Sequence, residues 1–187
     1  MTRLISWMTG AMKSPRRRSA SLWTAGRKGT ATERKGRAGI EPAAVHEAAH
    51  AVVAVLLGMK ARASLHADQP GCGATDIEVP DGPDGSELLL VALVAGSEGE
   101  GRLLHQARQW HVSTEDAKAM LRIIGGLAAP GAAERLSRAK RTAGELVRRP
   151  AVWRAIEIVA AELARASAVD DATVREAVGA AGLTPGG

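Results

Sequence analysis

Phenylalanine and tyrosine are absent from this 187-residue chain, and four tryptophans are its whole aromatic complement. Its apolar 45% therefore rests on Ala, Val, Leu and Ile, a composition that favours helices packed closely through small side chains. With one cysteine, Cys72, no intramolecular disulfide can form, which fits a reducing, cytoplasmic setting. The longest apolar run, LLLVALVAG at 88–96, falls well short of the roughly 18 residues a membrane-crossing helix needs. The N-terminal RLISWMTGAM lacks the long apolar stretch and clear cleavage site of a secretory leader. There is no internal repeat and no G-x-x-x-x-G-K-[ST] loop, so nothing points to nucleotide hydrolysis.

Charge is unevenly placed. Residues 1–40 hold ten Lys or Arg against Glu33 alone, a net +9, so the rest of the chain carries −4 of the +5 total. The chain divides accordingly into a basic arm, 1–38, expected to be mostly disordered, and a folded body, 39–187. The arm reads first as a solubilising tail and second as a weak anchor on nucleic acid or an anionic membrane surface. Trp7 and Trp23 offer stacking, but no aromatic spacing supports specific readout.

The body reads as mainly α (α+β). Pro42 suits a first helical position, and Val45, Ala49, Val52, Val53, Leu56 and Leu57 follow at helical spacing before Gly58. The Gly-, Pro- and Asp-rich stretch that follows predicts a small β-hairpin or ribbon. A second helix is expected over about 85–107. Its AGSEGEG cluster implies either a close helix contact or a break. Amphipathic helices are expected from STEDAKAMLRIIGG, AAERLSRAKRTAGELVRR and AVWRAIEIVAAELARAS, and a short last helix with Asp170 or Asp171 near its N-cap.

HEAAH, residues 46–50, lies in the first of these helices. His46 and His50 are four apart, so a helix sets them one turn apart on one face, where both imidazoles reach one metal ion. Glu47 is angularly offset and suits a general base beside a metal-bound water. From residue frequencies alone such a motif is expected about 0.01 times in this chain, so accident is a weak explanation. A catalytic zinc wants a third protein ligand. His66, Glu98, Glu100, His105, His111, Glu115 and Asp116 are all open by spacing, since no H-x-x-G-x-x-H continuation follows His50. Asp116 also fits a helix-capping pattern, Ser113-x-x-Asp116. His66, His105 and His111 otherwise read as structural. Cys72 has no histidine linked to it by motif and does not read as a nucleophile.

HEAAHAVVA resembles the HEAGHAVVA of the FtsH-type, ATP-dependent zinc metalloproteases. LLLVALVAGSEGEGRLL resembles that family's helix with a Gly-Gly-Arg-Ala-Ala-Glu-Glu signature, and STEDAKAMLRII the segment whose aspartate is the third zinc ligand. The likeness spans roughly residues 40–180 and implies a helical, zincin-like peptidase domain without the ATPase module or the membrane anchor. It implies His46, His50 and Asp116 as Zn2+ ligands and Glu47 as general base. Glu100 becomes a partner that orients a ligand histidine, or the alternative third ligand, with Glu98 in its place if the Gly-rich stretch is shifted. Ser97 and Gly101 depart from the signature. The implied activity is ATP-independent endopeptidase cleavage of an unfolded or flexible polypeptide lying along the ribbon edge. A separate unfoldase or regulatory partner and a homo-oligomer are further expectations. The alternative is a zinc-binding interaction or scaffold module without proteolytic activity, using the basic arm.

Overall fold

A computed structural model describes the backbone of residues 3–9, and residues 41–68, 71–81, 83–104 and 113–186. His105, His111 and the arm from residue 10 to 40 lie outside the described residues.

The fold is mainly helical with a small antiparallel sheet. In chain order the elements are β1 (Arg3–Thr9), α1 (Pro42–Leu56), β2 (Lys60–Leu65), β3 (Gly73–Val79), α2 (Pro83–Leu103), α3 (Thr114–Ile124), α4 (Ala132–Arg148), α5 (Pro150–Ala166), β4 (Ala168–Val169) and α6 (Asp171–Ala180). The sheet order is β1-β3-β2-β4. The hairpin of β2 and β3 pairs Lys60 with Glu78 and Leu65 with Gly73, as the turn-rich stretch predicts. The outer strands were not legible in the sequence: β4 is two residues long, and β1 falls within the stretch assigned to an irregular arm.

α1 is the axis of the body. Every residue from Ala44 to Leu56 is buried, and α2, α5, α6 and the hairpin pack around it. Pro42 opens the helix without sacrificing an intrahelical donor. Gly58 closes it at φ +83°, with Gly58 N–H donating to Val55 O at 3.1 Å and Met59 N–H to Ala54 O at 3.0 Å, the paired bonds of a Schellman ending. A helix buried on all sides needs neighbours that come close, and small residues allow this. A Cβ on Gly99 of α2 would lie 2.7 Å from Ala49 Cβ, so α2 runs unbroken past α1 through its glycines. The AGSEGEG cluster therefore marks a close contact, not a break.

The C-terminal helices close the body. Asp170 caps α6, its Oδ1 accepting from Thr173 N–H at 2.9 Å. Asp171 ties that helix to the hairpin by accepting from Ala61 N–H at 3.0 Å and pairing with Arg175 at 2.6 Å. Arg102 near the end of α2 donates to Val147 O and stacks 4.4 Å over the Trp153 ring, joining α2, α4 and α5. No helix among the described residues is long and apolar enough to cross a membrane.

The tight α1–α2 contact predicts opposite outcomes at two glycines. Gly99→Val should destabilise the protein by about 2–3 kcal/mol through overpacking. Gly179→Ala, where a Cβ meets nothing within 4 Å, should stabilise it by about 0.5–1 kcal/mol. Urea denaturation of the two variants checks the sign of each.

Candidate metal centre

The two histidines of α1 point into the seam between α1, α2 and α3. Their rings lie 4.6 Å apart at an interplanar angle of 85°, as four-residue spacing on a helix allows. Space for them comes from Gly96 on α2. A Cβ there would sit 2.4 Å from His50 Cε1 and Nε2 and 2.8 Å from His46 Nε2.

The inner nitrogen of each ring is held by α2. His50 Nδ1–H donates to Ala92 O at 2.8 Å, and His46 Nδ1–H to Glu100 Oε2 at 3.3 Å. Both outer nitrogens therefore turn toward one carboxylate. His46 Nε2 lies 3.0 Å, and His50 Nε2 3.5 Å, from Asp116 Oδ2. All three side chains are buried, at 5%, 2% and 1% exposure for His46, His50 and Asp116. Their ligand atoms lie within 4.8 Å of one another, close enough to hold a metal ion.

Asp116 reaches this position because α3 starts where it does. Ser113 is the N-cap, its Oγ accepting from Asp116 N–H at 3.0 Å. The capping reading of Ser113-x-x-Asp116 is thus right for Ser113 and the backbone of Asp116. The carboxylate itself goes to the histidines.

The arrangement leaves His50 with an unmet need. Its Nδ1–H is given to Ala92, so a neutral ring turns a lone pair toward Asp116 Oδ2, and two acceptors face each other across 3.5 Å. His50 Nε2 is buried without a hydrogen-bond partner. A cation between the two atoms satisfies both, and the restrained Nδ1 atoms are the outer contacts that orient metal-bound imidazoles.

Without such a cation, His46 takes a proton. Burial opposes its charged form, but hydrogen bonds to Asp116 and Glu100 and the charges of Glu47 and Asp116 outweigh burial and raise its pKa from 6.5 to about 10. Burial likewise opposes the Asp116 carboxylate, and the electrostatic and hydrogen-bonding effects of the two histidines facing it overturn that, holding Asp116 well below the usual carboxylate range.

Glu47 points elsewhere. It is 1% exposed, and its Oε2 accepts a 2.6 Å hydrogen bond from Thr75 Oγ1 on β3. Thr75 and Gly73 lie on the buried face of β3, two residues apart, and a Cβ on Gly73 would come 2.5 Å from Glu47 Cγ. Thr75, Gly73 and Ala92 were missed in the sequence. Alternation along β3 marks a buried face, but no local signal links that face to Glu47.

The other candidates are not part of the group. Glu98 Oε2 faces α4, near the Gly144 backbone and the Arg148 side chain, so Glu100 is the glutamate of α2 that meets the histidines. Glu115 pairs with Lys118 at 2.6 Å. His66 ends β2, its backbone N–H donating to Cys72 O at 3.0 Å. Cys72 is buried. No protein-family model matches the chain, and no curated protein matches it.

The protonated His46 generates a prediction for the metal-free protein. Its contribution to stability is complete below the ordinary value of 6.5 and is lost as pH rises through about 10. The thermal midpoint in chelator should fall across that interval relative to a His46→Gln variant. Because a ligand imidazole must be neutral, binding a divalent ion at pH 7 should release about one proton per ion. Calorimetric titration in buffers of different ionisation enthalpy measures it, and zero release would remove the imidazolium.

Proposed function

We propose that the chain is a zinc-dependent endopeptidase acting on unfolded or flexible polypeptides, with His46, His50 and Asp116 as the ligands of Zn2+ and Glu47 as general base. The observation that carries the reading is the convergence of His46 Nε2, His50 Nε2 and Asp116 Oδ2, with a buried glutamate, Glu47, adjacent to His46 in the same helix. Four-coordinate zinc with bonds of about 2.0–2.1 Å sets its ligand atoms about 3.3 Å apart, and the 3.0 and 3.5 Å separations bracket that figure. Two imidazoles and one carboxylate also leave a fourth position, as hydrolytic zinc requires.

The ion supplies Lewis acidity, which makes water acidic near neutral pH and an amide carbonyl electrophilic. The chain's own residues do the rest. Glu47 takes the proton from the attacking water and returns it to the leaving amine. Thr75 holds Glu47 through its Oε2. Glu100 and Ala92 hold the rings so that their Nε2 atoms face the ion.

The likeness of HEAAHAVVA and of the α2 and α3 segments to FtsH-type peptidases supports the same reading. A separate unfoldase partner follows from the proposal, because peptide hydrolysis alone opens no folded substrate. The near-complete burial of all four side chains favours one competing reading, a closed structural zinc site in an interaction module.

Glu47→Gln separates the two. It is expected to reduce casein hydrolysis at least about 100-fold while one zinc per chain remains bound. Thr75→Val should lower kcat by roughly tenfold with KM unchanged. Equal hydrolysis by the Glu47→Gln protein refutes the assignment, and a zinc-loaded parent without turnover favours the interaction module. Metal analysis and a fluorescent casein assay measure both.

A further inference from the structure

β3 has two edges. β2 occupies one, and β1 the other. Along the second edge Trp7 pairs with Thr75 and Thr9 with Gly73. These are the two β3 residues that touch Glu47. β1 also packs on α3, the helix that carries Asp116. Arg3–Thr9 thus runs between the two elements that flank the centre, one bearing the partner of the general base and the other a ligand. It joins α1 through residues 10–41, and its main packing is on β3 and α3. The hairpin and the helices around α1 make their contacts with one another without it.

We propose that this edge of β3 is the docking edge for an extended polypeptide substrate, and that Arg3–Thr9 is its resident occupant, which must leave before a substrate strand enters. The proposal rests on the hydrolytic reading above and adds to it a self-occluded resting state. Main-chain pairing is tolerant of sequence, so β1 and a substrate compete through concentration more than through side chains. A strand of the same chain competes intramolecularly, so a free peptide must exceed its effective concentration to replace it. A free chain at lower concentration enters after β1 is displaced.

The test keeps the chain whole. Successive N–H groups of a strand point to opposite sides, so one of residues 6 and 7 donates to β3, and Ser6→Pro/Trp7→Pro removes that donor whichever it is. Binding is measured with Glu47→Gln also present, so that nothing is cut, and the probe is a synthetic peptide of residues 1–12. Hydrogen exchange at the β3 amides facing β1 should quicken at least about tenfold in the proline variant and slow again with millimolar peptide. The amides facing β2 should stay protected in every sample, which controls for folding. Unchanged exchange, or exchange the peptide does not slow, overturns the proposal whether or not the chain is a hydrolase. With Glu47 intact, the proline variant should cleave casein about tenfold faster than the parent. Equal, measurable rates with the strand displaced overturn occlusion and leave the hydrolytic reading standing. Cleavage by neither protein overturns the substrate role together with that reading.

Discussion

Three ligand atoms taken out of water and aimed at one another are the constraint around which the body is arranged. His46 Nε2, His50 Nε2 and Asp116 Oδ2 meet among buried valines and alanines, and His50 Nε2 is left without a hydrogen bond. An uncompensated polar cluster in such surroundings costs several kcal/mol. Two cations can offset that cost. A proton on His46 does so in part, which is the meaning of its raised pKa, and still leaves His50 Nε2 without a hydrogen bond. A divalent ion meets all three atoms at once.

The rest of the fold is shaped to deliver those atoms. α1 is buried on every side by α2, α5, α6 and the hairpin together. Close approach then becomes a requirement on the neighbours. Gly96 admits the rings, Gly99 admits Ala49, and Gly73 admits Glu47. Each stands where a methyl group would come within 2.8 Å of an α1 side chain, so the same glycines that weaken a helix or strand in isolation are what allow this one to pack.

What the sequence revealed divides by range. The helices were legible because periodicity and caps are local: Pro42, Gly58, Ser113 and Asp170 each mark a boundary within one turn. The histidine pair was legible because four-residue spacing is itself geometry. Asp116 was ambiguous because one pattern, Ser113-x-x-Asp116, fits a cap and a ligand position at once; its backbone N–H meets the cap while its carboxylate meets His46. Glu98 and Glu100 were separable only through register, since two residues on a helix differ by about 200° and so face α4 and the histidines respectively. Thr75, Gly73 and Ala92 stayed hidden because their roles exist only across contacts between distant segments. β1 stayed hidden because its surroundings are dominated by arginine, lysine and serine, and its pairing partner lies some seventy residues away.

Those hidden partners also bear on how the centre would work. Thr75 ties Glu47 to β3 by donating to its Oε2 at 2.6 Å. The threonine sits on the strand whose outer edge β1 covers, so whatever pairs with that edge also sets the position of Thr75. Pairing at β3 and the placement of Glu47 are in this way joined through one hydroxyl. In the proposed reaction, the strand that would hold a polypeptide in extended form would also hold the glutamate that takes the proton from the attacking water.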